Sequence, residues 1–353
     1  MRASALTHSL SRLAQAALGA AVIALSVPCF GLVITPTFTA NFNANFGANA
    51  AAAQASWIAA ASVFSANFND PIHINITVDA VAGTSVFGQS SFTLFSTSYA
   101  NLRSKMVADA KSADDILSLS AGGSITVADP TGGAGTWWSH RAQAKAIGLI
   151  ADDLANDGTT TFGAGNPFTF SGPIAAGTYD FQGIVAHEIS EVMGRWGRSG
   201  GTIGGITPSY TLIDDLSYTG AGTKGLGNGA GNNFSIDNGT TLLKLYNNQA
   251  VSGFDSRDWA SGQGNDAFNQ FSNSGVVNAV TPVDIRLMDV LGYDLVPEPG
   301  VGSLLLGGLL ARALMHRRNR KPSQLAPDSR LQTQHGSSSP PAGLNSRTHH
   351  SNR

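Results

Sequence analysis

The sequence predicts an α+β fold, in which a mixed sheet packs on one long helix and long Gly/Asn-rich loops join the elements. Three segments indicate this fold class. Residues 71–81 alternate apolar and polar side chains and carry many β-branched residues, as a half-buried strand does. Residues 178–197 carry an apolar stripe at helical spacing, which predicts the long helix. Residues 200–239 are rich in Gly and Asn with few apolar anchors, which predicts a long structured loop.

The other elements are predicted from the same signals of periodicity, capping and turn residues. In chain order they are two short helices over 97–119 with a break at 113–115, a short strand at 123–130, a helix at 140–150, a strand at 157–165 that begins with an Asp-Gly turn, a hairpin at 234–246 around Asn238-Gly239, and a closing helix at 283–295 with Ile285, Met288 and Leu291 facing inward.

Residues 32–295 are predicted to be the folded domain. The chain is 42% hydrophobic, which is enough for a large core and excludes a wholly disordered protein. The segment 32–295 holds eleven Lys or Arg and twenty-one Asp or Glu, so its net charge is −10. A body with this charge is a poor partner for nucleic acid and for anionic membrane surfaces, and we expect no nucleic-acid binding.

The N-terminus is predicted to be a secretory signal peptide, residues 1–31. Arg2 and Arg12 precede an apolar run at 13–27, which is too short to span a membrane but typical of a signal segment that signal peptidase removes. Cys29 is the only cysteine of the chain and lies in this segment, so no disulfide is expected in the mature protein.

The C-terminal region, residues 296–321, has three parts in a fixed order. Pro297-Glu298-Pro299 comes first, an apolar run at 301–315 follows, and a basic cluster at 317–321 ends it. This order resembles a PEP-CTERM sorting signal. The resemblance implies processing by an exosortase, transient membrane anchoring, and delivery to the cell envelope or outer surface, or secretion, in a Gram-negative bacterium. Residues 322–353 are rich in Ser, Pro, Arg and His, which predicts a disordered tail.

The chemically informative residues meet in one short segment, His187-Glu188-Ile189-Ser190-Glu191. Glu188 and Glu191 are the only glutamates of residues 32–295, and His187 is one of three histidines there. At positions i and i+4 of a helix, His187 and Glu191 project from one face and can both bind one Zn²⁺. Glu188 then lies beside the site as a general base. The alternative is an ordinary solvated helix face, because a pattern of five residues is a weak signal by itself.

The surrounding sequence resembles exported matrixin-like metalloproteases of the zincin class. The resemblance rests on the stretches DGTTTFGAGNPFTF (157–170) and AGTYDFQGIVAHEISEVMGR (176–195), and extends over much of 72–293. It is strongest to PEP-CTERM-tagged members that carry HExxE in place of HExxH. It implies a zincin or metzincin-like fold, His187 and Glu191 as Zn²⁺ ligands, Glu188 as the base, and Gly194 as the glycine that bends the chain after the helix.

The third metal ligand does not follow from this resemblance directly. A metzincin carries a third histidine where this chain has Gly197, and neither His73 nor His140 matches a ligand position. Asp214 is our candidate for the third ligand, with Asp215 as the neighbouring option and a plain turn carboxylate as an equal alternative.

Two further features have a functional and a simpler interpretation. The loop 220–233 offers backbone oxygens for Ca²⁺ but lacks the spaced Asp residues of a calcium loop, so a flexible loop is the better prediction. Residues 35–69 are rich in Ala and Asn and are a candidate pro-segment.

Two function classes remain. The first is an exported zinc-dependent endopeptidase, a hydrolase that acts on protein or peptide substrates. The second is a non-catalytic surface or matrix protein on a degenerate zincin scaffold. Glu188 favours the enzyme, since a purely structural metal site needs ligands but no base.

Overall fold

The computed structural model describes residues 31–297. The signal peptide, sorting signal and tail predicted for the two ends lie outside this range, apart from residues 31, 296 and 297. Within the range, no helix combines the length and the apolar character needed to cross a membrane.

The described chain contains both strands and helices throughout its length. The strands are, in order, β1 Val33–Phe38, β2 His73–Val81, β3 Gly88–Phe92, β4 Leu94–Thr97, β5 Thr136–His140, β6 Asn156–Gly163, β7 Phe168–Thr169, β8 Tyr179–Asp180, β9 Ser209–Thr211, β10 Ser217–Gly220, β11 Thr223–Lys224, β12 Asn233–Phe234 and β13 Lys244–Leu245. The α-helices are α1 Ala40–Phe46, α2 Ala50–Asn67, α3 Tyr99–Asp109, α4 Ala113–Leu119, α5 Arg141–Ala146, α6 Phe181–Ser190, α7 Leu212–Asp215, α8 Gln249–Ser252 and α9 Pro282–Val290.

The main sheet has four strands in the order β1-β2-β6-β3. β1 and β6 both pair parallel to β2, whereas β3 pairs antiparallel to β6 and lies at the edge. Alternate residues of β2 are buried, as the alternating sequence predicts. The α+β class is confirmed, and the sheet is mixed.

The helices α2 and α6 pack against each other beside this sheet. Trp57 of α2 is fully buried, and its indole Nε1 donates a hydrogen bond to Thr160 Oγ1 of β6 at 3.2 Å. The candidate pro-segment at 35–69 is therefore part of the core, because it supplies the first parallel strand and helix α2, which covers α6. Its composition concealed this role, since an Ala-rich helix buried on one side has little amphipathic contrast.

Two further sheets and the parallel strand pair β7-β8 complete the described body. One has the order β4-β5-β9, and the other the order β11-β10-β12-β13. In the second, β12 and β13 form the predicted hairpin, but each strand has only two residues. Asn238 and Gly239 in the connection have φ of 58° and 75°, as the predicted turn requires.

The predicted strand at 123–130 is wrong, and the segment follows an irregular path. In a strand, the carbonyl groups of this segment would accept hydrogen bonds from a neighbouring strand. Here side-chain hydroxyl groups lie against two of them instead. Tyr218 Oη donates to Ser124 O at 2.9 Å, and Tyr99 Oη lies 2.7 Å from Thr126 O. Neighbouring aromatic hydroxyls thus replace a partner strand.

The predicted Asp-Gly turn is also wrong, because Asp157 and Gly158 lie inside β6. Asp157 is buried, and its carboxylate accepts hydrogen bonds from Lys145 Nζ at 2.8 Å and from Asn75 N at 2.9 Å. Because the Asp157 side chain bonds to neighbouring elements and closes no turn, Asp157 and Gly158 continue the strand.

The remaining helices are confirmed with shorter bounds. The break within 97–119 falls at residues 110–112, and Ser112 caps α4 by accepting from Asp115 N at 2.9 Å. Of the helix predicted at 140–150, only the part that forms α5 is helical. The closing helix α9 buries Met288 and Leu291 follows it in the core, whereas Ile285 is half-buried.

Candidate metal centre and cleft

The site helix α6 begins at Phe181 and continues past Ser190 as a π-helical turn, Glu191–Arg195. Its buried stripe includes Ile184, Val185 and Ile189. Gly194 has φ of 122°, a conformation that favours glycine, and the chain leaves the helix there. The helix therefore holds His187, Glu188 and Glu191 on a packed support and ends one turn after Glu191.

His187 is oriented by a backbone carbonyl. Its Nδ1 lies 2.9 Å from Ala267 O and donates to it when the proton is on Nδ1. That tautomer leaves the lone pair of Nε2 free on the other side of the ring, which is how metal-binding histidines are usually held. Nε2 lies 3.5 Å from Glu191 Oε1 and 3.4 Å from Asp258 Oδ1.

His187, Glu191 and Asp258 form the group of the described residues that fits a metal ion, with ligand atoms within 4.8 Å of one another. Ligand atoms about 2.1 Å from a tetrahedral Zn²⁺ lie about 3.4 Å apart. The two distances from His187 Nε2 match that spacing. One imidazole and two carboxylates are donors that zinc accepts, and three protein ligands leave a fourth position for water or substrate.

Glu188 lies next to this group and is not used by it. Its residue is 5% exposed, and among the described residues no hydrogen bond to its carboxylate is found. It lines a cleft of about 710 Å³ together with His187, Glu191 and Asp258. Gly88 of β3 makes room for it, because a Cβ at that position would lie 2.3 Å from Glu188 Oε1.

Two side chains support the carboxylates from behind. Ser90 Oγ of β3 donates to Glu191 Oε2 at 2.6 Å. The fully buried Arg195 donates from Nη1 to Asp258 Oδ1 at 2.6 Å and lies 3.5 Å from Glu191 Oε1. Its Nε donates to Ser190 Oγ at 2.6 Å, and its guanidinium lies 4.6 Å from the centre of the Phe268 ring. Both candidate carboxylate ligands are thus held in place by donors.

The electrostatics of the cluster reflect an excess of buried negative charge. Burial and the Arg195 charge oppose protonation of His187, but Asp258 and Glu191 together raise its pKa to about 9. Burial disfavours the Glu191 carboxylate, but its hydrogen bond with His187 and the charges of His187 and Arg195 lower its pKa to about 2. Burial, and then the charge of Glu191, raise the pKa of Glu188 well above its usual value. A divalent cation between the ligands would relieve this repulsion.

The cleft has a strand on one side and loops on the other. Edge strand β3 forms one wall, and residues 253–255 and 266–272 form the opposite wall. Asp255 stands in the second wall, where its Oδ1 accepts from Trp196 Nε1 at 3.3 Å. Burial, and then the charges of Glu191 and Asp258, raise the pKa of Asp255 to about 7.

The structure does not bring Asp214, the candidate third ligand, into the metal group. Asp214 is fully buried, and its Oδ1 accepts from Arg257 Nε at 2.8 Å while its Oδ2 accepts from Thr211 N at 2.9 Å. It thus caps α7 and pairs with an arginine, away from the convergent ligand atoms of His187 and Glu191. Asp215, the neighbouring option, accepts from Tyr99 Oη at 2.7 Å and pairs with Lys224. The third acidic residue beside His187 and Glu191 is Asp258.

The other sequence candidates lie apart from the metal group. His73 pairs with Asp152 at 2.8 Å at the surface. His140 is fully buried with its ring 4.4 Å from that of Phe92, and burial lowers its pKa to about 3. Met288 is fully buried in the core, as its inward-facing position in the predicted closing helix implies.

Sequence reasoning missed Asp258, Arg195 and Ser90. Arg195 follows Glu191 by four residues, so helical spacing offered a signal for it. Asp258 lies in an irregular segment, where no periodicity indicates which way a side chain faces. Ser90 is one of several serines in its stretch, and only the pairing of β3 selects it.

Comparisons with protein-family models, with curated proteins and with solved structures found no match for this chain. The interpretation of the site therefore rests on its geometry and chemistry.

Proposed function

We propose that this protein is an exported zinc-dependent endopeptidase of the zincin class. His187, Glu191 and Asp258 are its metal ligands, and Glu188 is its general base. The observation that carries the proposal is the position of Glu188, a buried carboxylate beside three convergent ligands that lines the cleft without a partner among the described residues. A structural metal site requires the three ligands but has no use for this fourth group.

The proposed roles follow from the chemistry of these groups. Zinc in such a site lowers the pKa of a coordinated water to about 7 and polarises a carbonyl group. Glu188 accepts a proton from the attacking water and passes it to the leaving amine. Ala267 O fixes the ring of His187, and Ser90 and Arg195 fix the two carboxylates, so that the ligands are held ready before substrate arrives.

The edge strand supports a peptide as the substrate class. β3 pairs with β6 on one side, and among the described residues no strand pairs with its other side. Four of its five residues line the cleft. An extended peptide can add to such an edge through main-chain hydrogen bonds, which accept many sequences. We infer that the substrate lies along β3 with a peptide group near Glu188.

The test is the zinc content of the purified full-length protein, measured by elemental mass spectrometry together with peptidase activity. We expect near-stoichiometric zinc in the parent, and loss of zinc in the Glu191→Ala and Asp258→Ala variants. Glu188→Gln is the matched control, because it should keep zinc and lose activity. A parent protein that binds no transition metal after refolding with zinc would overturn the proposal.

A non-catalytic surface or matrix protein is the second candidate, and Arg195 favours it. The guanidinium already donates to Asp258 Oδ1 and lies near Glu191, so part of the negative charge is balanced without a metal ion. In this case the parent and Glu188→Gln would have the same zinc content and neither would cleave peptides.

The export route belongs to the same proposal. Signal peptidase would remove residues 1–31, and an exosortase would process the signal at 296–321 after transient membrane anchoring. The protein would then act in the envelope, at the outer surface or outside a Gram-negative cell. Mass spectrometry of the protein from its native host, with both mature ends identified, tests this part. Calcium remains an expectation from the loop 220–233 without support from an acidic cluster there.

A further inference from the structure

The residues that line the cleft carry mainly negative charge. Its lining includes five acidic residues and, among the described residues, no Lys or Arg. Those five are Glu188, Glu191, Asp255, Asp258 and Asp266. A divalent ion, Arg195 beside Glu191 and Asp258, and Lys244 beside Asp266 together neutralise only part of this charge. The cleft therefore attracts cationic ligands and repels acidic ones.

Most of these carboxylates are already engaged. Glu188, Glu191 and Asp258 belong to the metal group and its base. Asp266 accepts from Phe268 N at 2.7 Å and from Thr281 Oγ1 at 2.8 Å, and it pairs with Lys244. Asp255 is the exception, because only its Oδ1 has a partner, the indole of Trp196. Among the described residues no hydrogen bond to its Oδ2 is found, so this oxygen is available to a ligand.

An exposed aromatic pair adjoins Asp255 in the same wall. Phe254 precedes it in the chain and is 46% exposed, and Phe271 is 47% exposed. Their ring centres lie 4.6 Å apart with an edge-to-face arrangement, and both rings line the cleft. Aromatic rings bind the aliphatic stem of Lys or Arg and also attract its cationic head.

We propose that this wall binds a Lys or Arg side chain of the peptide substrate, with the stem on the Phe254–Phe271 pair and the cation at Asp255. The inference rests on the proposed peptidase function, since it names the substrate class of the same cleft. An acidic side chain meets repulsion here. A neutral apolar side chain uses the aromatic pair but leaves Asp255 without a counter-charge. The specificity therefore depends on charge as well as on apolar contact.

The test measures binding without turnover. The probes are fluorescein-labelled hexapeptides of alanine with one residue X placed in turn at each position, where X is arginine, citrulline or glutamate. Citrulline has the shape of arginine without its charge. Dissociation constants are measured by fluorescence anisotropy on the full-length Glu188→Gln protein in the presence of zinc. We expect the best arginine peptide to bind about ten-fold more tightly than its citrulline counterpart, and the glutamate peptide to bind most weakly.

Three further variants separate the contributions in the same Glu188→Gln background. Asp255→Asn should reduce the preference for arginine over citrulline to about two-fold. Asp153→Asn is the matched control, because Asp153 pairs with Arg141 outside the cleft, and its removal should leave the preference unchanged. Replacing Phe254 and Phe271 together with alanine should weaken the arginine and citrulline peptides by similar factors.

The inference is overturned if arginine and citrulline peptides bind equally to the Glu188→Gln protein, if no peptide binds, or if Asp255→Asn in that background keeps the full preference. Failure of the peptidase proposal is recognised separately, from the zinc content and from the absence of cleavage by the protein that retains Glu188. A preference for arginine in a protein that cleaves nothing would support the inference alone.

Discussion

Gly88 is the residue whose lack of a side chain leaves space for Glu188. Its φ does not require glycine, so the constraint comes from space alone. A Cβ at Gly88 would lie 2.3 Å from Glu188 Oε1 and 2.9 Å from Ile184 Cγ2. We expect Gly88→Ala to displace the carboxylate and to lower kcat about a hundred-fold, since small misplacements of a catalytic group have effects of this size.

The measurement is the rate of peptide hydrolysis beside the zinc content. Zinc should be retained, because Gly88 does not touch a proposed ligand. Gly229→Ala is the matched control, as a Cβ there meets no atom within 4 Å and the residue is exposed. Unchanged hydrolysis in Gly88→Ala would show that Glu188 does not act from this position.

Arg195 is the second residue with a measurable role. It is fully buried beside Asp258 and Glu191, so Arg195→Met leaves two buried carboxylates with less counter-charge. We expect the melting temperature of the metal-free variant to fall, and zinc to raise it by more than it raises that of the parent. Thermal melts with a chelator and with zinc check this. Equal zinc-induced shifts in both proteins would contradict it.

At the scale of elements, the segment between α2 and β2 joins the two ends of the described chain. Asp70 Oδ2 accepts from Asp294 N at 3.0 Å, while its Oδ1 is buried without a partner among the described residues. Burial, and then the charge of Asp294, raise the pKa of Asp70 from 3.8 to about 8. The folded protein thus keeps a proton that the unfolded chain has lost.

The different protonation of Asp70 in the folded and unfolded states makes the stability of the protein depend on pH in a defined direction. Because the native state binds more protons between pH 4 and pH 8, the free energy of unfolding falls as the pH rises through this range. Asp70→Asn removes the titrating group, so its melting temperature should exceed that of the parent by more at pH 8 than at pH 5. Melting curves at both pH values test it. A difference that does not change with pH would contradict the expected protonation.

The elements also explain what could be predicted from the sequence. Strand β2 and helix α6 follow from periodicity, and the i and i+4 spacing places His187 and Glu191 on one face. Asp258 lies in an irregular polar segment, and Asp214 lies in a helix of only four residues, so in neither place does periodicity give a direction to the side chain. Only the long-range packing of those segments selects Asp258, and this packing is not encoded in any short pattern.

At the scale of the whole molecule, the N-terminal segment is required for the core. Trp57 is fully buried on α2, whereas the adjacent Ile58 is 50% exposed. We expect Trp57→Ala to destabilise the protein by about 3–5 kcal/mol, as large buried aromatics do. Ile58→Ala should change stability by less than about 0.5 kcal/mol. Chemical denaturation of the two neighbours checks this. A small effect of Trp57→Ala on stability would favour the alternative in which residues 35–69 are a detachable pro-segment.

The two ends of the described chain meet at one place. Val296 N donates to Asn67 O at 2.8 Å, and Gly31 lies beside Phe68 O, 3.9 Å from the position of its missing Cβ. Contacts between residues so far apart in sequence form late, because a long loop must close first. During synthesis, this seam cannot close before Val296 has emerged. The body therefore passes most of its elongation without these contacts, and its folding is completed only after residues near 296 have been made.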